Sequence, residues 1–131
     1  MECVYLTSTQ SQNIFTENNW FDFRVNLPKE LVFKNFCECA LLSFDTYPSF
    51  QLDVDIFCDA LEGSCFRDSL APFLAKISDV PYSFIQPNFI KVTNTSLRTL
   101  HFYIRTSFAH TIPTESVETV QLILLFRESV L

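Results

Sequence analysis

Two alternating runs near the carboxyl end, residues 99–106 and 117–127, constrain the fold of this chain more than any other feature. Successive side chains on a strand point to opposite faces, so a half-buried strand reads apolar at every second residue. In the first run Leu100, Phe102 and Ile104 share one face, and Thr99, His101, Tyr103 and Arg105 share the other. In the second, Val120, Leu122, Leu124 and Phe126 share a face, with Thr119, Gln121, Ile123, Leu125 and Arg127 opposite. Ile123 and Leu125 are aliphatic where alternation asks for polar residues, which predicts that something covers them. One glycine beside fifteen phenylalanines points to a compact all-β body and not to a scaffold of flexible loops.

The remainder of the chain carries shorter signals of the same kind. Residues 2–7 read as a strand, followed by a polar stretch, 8–13, whose side chains compete for backbone hydrogen bonds and favour a loop. Residues 20–27 alternate cleanly, with Phe21, Phe23, Val25 and Leu27 on one face and Trp20, Asp22, Arg24 and Asn26 on the other; Pro28 is expected to end that strand. Short or buried strands are expected at 31–33, 36–44 and 73–77, the last with a short helix as its rival. Residues 51–58 alternate again, Leu52, Val54 and Ile56 against Asp53 and Asp55. The only glycine falls in Glu62-Gly63-Ser64, a turn or the start of a longer crossing loop, and an expected strand over 83–92 is interrupted by Pro87, which removes a ladder donor and implies an edge or a break. About eight or nine strands with regular turn signals give a single domain, residues 1–131, built as an antiparallel sandwich or barrel.

Composition excludes several classes of function. Apolar residues make up 48% of the chain and charged residues 18%, enough apolar area to offset the ordering entropy of a folded domain. The formal charge is −6 and no run of Lys or Arg occurs, so neither direct nucleic-acid binding nor attraction to an anionic membrane is expected. No segment approaches the roughly 18 apolar residues of a membrane span, and the first residues lack the basic start and apolar stretch of a secretory signal. Synthesis in the cytosol is the expectation. Five cysteines, Cys3, Cys37, Cys39, Cys58 and Cys65, then read as free thiols packed as small hydrophobes.

No constellation for chemistry emerges. Cys37 and Cys39 have one residue between them, whereas zinc sites separate paired cysteines by about two to four, and only two histidines are present, so no metal is expected. Asp53 and Asp55 project from the polar side of a strand and read as a solvated face. His101 and His110 lack a nucleophile in any recognised context, and a single glycine cannot build a phosphate cradle. No catalytic residue, enzyme activity or cofactor follows. Asn94-Thr95-Ser96 matches a glycosylation sequon and reads as a turn. His101, next to Tyr103 and Arg105 on one strand face, reads as a surface or subunit contact. Trp20 is a candidate interface anchor by residue type, with packing under a loop as the alternative. Together Trp20, His101, Tyr103, Ile123 and Leu125 form the expected oligomer interface.

Several segments resemble a known group of proteins. Val4-Tyr5-Leu6-Thr7-Ser8, Phe15, Asn18, Asp22-Phe23-Arg24-Val25-Asn26-Leu27-Pro28 and Glu38-Cys39-Ala40-Leu41 are similar to the first part of small proteins encoded by polinton-type elements, adintoviruses and adomaviruses. Asp55-Ile56-Phe57-Cys58-Asp59 resembles their acidic strand, and Leu124-Leu125-Phe126-Arg127 their ending. The chain departs from the pattern at Phe33-Lys34-Asn35-Phe36, where a Gly and a Trp are expected, and at Leu125, which stands in place of a His. The resemblance implies a capsid-associated protein, a single jelly roll of the penton or minor-capsid kind. It would assemble with itself, a pentamer being one arrangement, and contact the major capsid protein. It would be made in the host cytoplasm, assemble there or in the nucleus, and reside in the virion. The competing expectation from another class is a virus-encoded β-sandwich recognition module that binds a host receptor or glycan.

Overall fold

A computed structural model describes residues 1–48, 54–61, 64–66, 69–77, 82–83, 87–93, 96–106 and 117–128. The strands in chain order are β1 (Glu2–Thr7), β2 (Asp22–Val32), β3 (Cys37–Tyr47), β4 (Val54–Cys58), β5 (Ser64–Phe66), β6 (Ser69–Ala71), β7 (Phe73–Ile77), β8 (Tyr82–Ser83), β9 (Ile90–Lys91), β10 (Ser96–Thr106) and β11 (Thr119–Glu128). One sheet, A, has the order β1-β11-β3-β8, with β9 also on β3; the other, B, has the order β2-β10-β4-β7; β5 and β6 form a small hairpin. Every pairing is antiparallel.

The chain crosses between the sheets from β1 to β2, β2 to β3, β3 to β4, β7 to β8, β9 to β10 and β10 to β11, and its last two long strands insert between earlier ones. Strand β10 lies between β2 and β4, and β11 lies between β1 and β3. That winding, two sheets of antiparallel strands with late strands laid between early ones, makes the chain a jelly-roll-like β-sandwich.

The expected parity holds on the inner faces. Phe23, Val25, Leu100, Phe102 and Ile104 from sheet B, with Val54 and Ile56, meet Val120, Leu122, Leu124 and Phe126 from sheet A in one buried cluster. Phe23 stacks on Phe102 across β2 and β10 at 5.3 Å between ring centroids. Phe21 is only partly buried against this cluster, and Leu52 lies outside the described residues.

Four expectations need correction. Trp20 is not on the polar face of a strand: it precedes β2, is 5% exposed and belongs to the core. The side-chain oxygen of Asn19 accepts hydrogen bonds from the amides of Phe21 and Asp22, a local turn that suspends the pleat before β2 begins and lets the indole point inward. Pro28 does not end its strand. Strand β2 continues to Val32, absorbing the expected strand at 31–33, because it is the edge of sheet B and its register against β10 shifts between Leu97↔Leu31 and Thr99↔Asn26. The four residues between Asn26 and Leu31 face only Arg98, so a proline fits in a bulge on an edge. Ser64 starts β5 and is not part of a turn. Asp55 is 3% exposed, because β4 is an inner strand and Asp55 has Arg105 and Lys76 as its cross-strand partners. Asp53, Gly63, His110 and the Asn94-Thr95 part of the sequon lie outside the described residues.

The polar loop after β1 is held by two buried serines. Ser8 Oγ accepts the amide of Val120 at 2.9 Å, and Ser11 Oγ accepts that of Asn26 at 3.1 Å, tying the segment to both sheets. The 73–77 strand stands and its helical rival does not; no helix among the described residues is long and apolar enough to cross a membrane.

Candidate functional surfaces

The two outer faces of the sandwich differ in chemistry. On sheet A, Tyr5 pairs with Ile123 and Cys3 with Leu125 across β1 and β11, while Ser43 and Ala40 of β3 flank the same two residues from the other side. Ile123 and Leu125 are half-buried, Tyr5 is 55% exposed and Cys3 is exposed. The result is an uncharged patch over β1 and β11 that reaches β3 at Ser43, Ala40 being fully buried. It is bounded at one end by Arg127, whose guanidinium is 3.3 Å from Glu38 and 3.5 Å from the centre of the Phe89 ring, and at the other by Asp45 and Gln121. Central apolar residues within a polar rim are the usual anatomy of a protein contact.

On sheet B the outer face binds itself. His101 Nε2 lies 2.6 Å from Asp22 Oδ1, and its backbone amide donates to Asp59 Oδ1 at 3.0 Å. The Tyr103 ring lies 4.2 Å from the imidazole and is 40% exposed. Asn26 accepts a hydrogen bond from Thr99 Oγ1 at 2.7 Å, and Arg105 sits 5.5 Å from the centre of the Phe57 ring. A histidine held by an aspartate can activate a hydroxyl or thiol on its other ring nitrogen. Among the described residues His101 meets Asp22, Tyr103 and Asp59, with Arg24 opposite it in register, and none of these is a Ser or Cys. The pair is a clasp between β2 and β10.

Of the expected interface residues, Ile123 and Leu125 therefore fall together on sheet A, His101 and Tyr103 fall together on sheet B, and Trp20 joins neither. Its indole Nε1 is the one buried side-chain nitrogen or oxygen among the described residues without a hydrogen-bond partner. The residues that reasoning from sequence missed are Asp22, Asp59, Glu38 and Phe89. Each acts through a neighbour far along the chain, a relation alternation does not encode.

Two open grooves lie on the side where the edge strands β1 and β2 approach each other. The larger, about 570 Å³, is lined by Lys29 and Arg127 together with Glu2, Glu30 and Glu128, a mixed set with no nucleophile. The smaller, about 250 Å³, borders Cys3, Tyr5, Leu27 and Pro28. Among the described residues no group of three metal donors converges. Cys37, Cys39 and Cys58 are free and buried, as expected, but Cys3 is exposed. Burial pushes the Cys37 thiol up to about 11 and Cys58 to about 12, and raises Cys39 as well. These thiols are packing groups with little thiolate at neutral pH. No protein-family model, curated protein or solved structure matches the chain.

Proposed function

We propose that this chain is a virion structural protein, a small single jelly-roll capsid component of the penton or minor-capsid kind that assembles with copies of itself and contacts the major capsid protein. The jelly roll is a frame that capsid proteins share with lectins and cupins, and a fold alone does not choose among them. The observation that carries the reading is the uncharged patch at the centre of the outer face of sheet A, which gives the sandwich an apolar surface of the kind assembling subunits cover. The similarity of residues 4–8, 22–28 and 38–41 to small proteins of polinton-type elements and adintoviruses supports the same conclusion. Under this reading the protein is made in the host cytoplasm and ends in the particle, without an enzymatic step, a nucleic-acid contact or membrane insertion.

A second reading, a module that recognises a host receptor or glycan, draws on sheet B, where the exposed Tyr103 ring lies beside His101 and opposite Asp22. Co-expression with the major capsid protein of the same element, followed by electron microscopy and mass analysis of purified particles, separates the two. Stoichiometric incorporation is expected. A protein that never enters particles yet binds cells through Tyr103 would overturn the capsid reading.

A further inference from the structure

We infer that β1 is an assembly edge: two copies of this chain pair their β1 strands antiparallel about a two-fold axis at Val4 and join their A sheets into one, a pairing that uses the backbone of a single strand and holds whatever the role of the protein. Ladder parity identifies the open groups. The amide of Ser8 donates to the carbonyl of Val120 at 3.0 Å and continues the register that sets Thr7 opposite Gln121. Hydrogen-bonded and non-hydrogen-bonded pairs alternate along an antiparallel ladder, so Glu2, Val4 and Leu6 bond β11, and Cys3, Tyr5 and Thr7 turn their amides and carbonyls away from it. Thr7 is closed by its own loop: its amide donates to Gln10 Oε1 at 3.0 Å and its carbonyl accepts the amide of Gln10 at 3.4 Å. Cys3 and Tyr5 remain, on a strand with no second neighbour among the described residues.

The two edges on this side of the sandwich are built differently. Strand β2 is blunted by Pro28, by a register shift and by the charged Lys29 and Glu30, devices that keep an edge from pairing. Strand β1 has none of them: its register is unbroken, it contains no proline, and its one charge, Glu2, lies 3.7 Å from Lys29 of the same copy. The spacing of the open groups selects the occupant. About a two-fold axis at Val4, Cys3 of each copy stands opposite Tyr5 of the other, and each such pair exchanges both ladder bonds. Val4, half-buried against the core, meets Val4 at the close, non-hydrogen-bonded spacing, beside the groove of about 250 Å³ that Leu27 and Pro28 border. Glu2 falls opposite Leu6, and the two Glu2 residues lie about 13 Å apart along the strands, beyond the screening length of about 8 Å at physiological salt. The paired segments of a chain of net charge −6 thus set no like charges together. Pairing uses up the open edge of both copies, so the contact closes at two.

Sedimentation of the intact protein over a range of concentrations, with amide hydrogen exchange followed residue by residue by NMR, tests this pairing. The parent is expected to pass from monomer to dimer. In the dilute monomer the amides of Cys3 and Tyr5 should exchange fast while those of Val4 and Leu6 are protected, and the first two should become protected as the dimer fills. Cys3→Pro removes an amide that β11 does not use, so it should keep the circular dichroism of the parent and weaken dimerisation by about 100-fold or more. If that variant does not fold, the exchange pattern of the parent decides alone. Ile123→Ser with Leu125→Ser, whose side chains project from the outer face and not from this edge, should keep the dimer. A parent that is monomeric at every concentration, a dimer in which the Cys3 and Tyr5 amides still exchange fast, a folded Cys3→Pro that associates like the parent, or a dimer lost in the Ile123→Ser, Leu125→Ser variant would overturn the proposal. A dimer that forms as described but never enters particles would leave this edge standing and fail the capsid reading instead.

Discussion

The outer faces of sheets A and B are built on the same pleat in one sandwich, yet they treat their side chains in opposite ways. Sheet B binds its polar residues to one another: His101 to Asp22, Thr99 to Asn26, and the amide of His101 to Asp59. Sheet A leaves Tyr5 and Cys3 in solvent and half-buries Ile123 and Leu125, with the Arg127–Glu38 ion pair displaced to one end of its outer face. A face whose polar groups are satisfied within the chain gains little from a neighbour. An uncharged one gains whatever apolar area the neighbour removes from water.

The sharpest way to break this comparison is to ask whether the sheets also differ inside. They should not. Phe102 and Phe126 are at most 1% exposed on the inner faces of B and A respectively, so truncating either to Ala is expected to cost about 3 to 5 kcal/mol. Chemical denaturation checks this; one variant as stable as the parent would mean that its sheet does not share the core.

A smaller effect separates the outer faces. His101→Ala should lower stability by about 1 kcal/mol, because the imidazole is nearly covered while its Asp22 partner is half-exposed and screened by water. Ile123→Ser with Leu125→Ser, measured where the protein is dilute, should change monomer stability by no more than about 1 kcal/mol. An oligomer lost in His101→Ala but kept in the Ile123→Ser, Leu125→Ser variant would erase the contrast.

Alkaline titration probes the interior. The thiols of Cys37 and Cys58 are raised from 9.0 to about 11 and about 12 in the fold, so the unfolded chain releases these protons first. Folded protein then holds more protons than unfolded protein above about pH 9, and stability falls as pH rises through that window; below it both states are neutral thiols and the contribution is constant. Replacing Cys37 and Cys58 by Ala should flatten the decline seen in thermal melts between pH 9 and 11. The smallest effect is kinetic: in dilute protein at neutral pH, Cys3 should alkylate well before Cys37, Cys39 or Cys58. Comparable rates for all four would show that the fold opens more readily than its packing implies.

The strands themselves were legible because burial on one face imposes a period of two on the sequence. Leu100, Phe102 and Ile104, and Val120 through Phe126, sit where alternation puts them. The weak points were those where a local turn or an edge interrupts the pleat. Asn19 turns the chain before β2 and sends Trp20 inward, and an edge bulge lets β2 run through Pro28. Of the expected contact residues, alternation marked Ile123 and Leu125 as anomalous and that anomaly survives on sheet A. Only its residue type marks Trp20, and residue type says nothing of direction.

Sequence alone determined the all-β class, the inner parity of the long strands, the net charge and the absence of any recognisable catalytic motif, since each is a property of residues near one another along the chain. Only the tertiary structure decided that β10 and β11 insert between earlier strands, that Asp55 is buried between Arg105 and Lys76, and that His101 is clasped by Asp22. It also decided that Cys3, Tyr5, Ile123, Leu125 and Ser43 form one face. Strand order and register join residues a hundred positions apart, and a pattern of period two is satisfied by many such pairings until the sheets close on a common core.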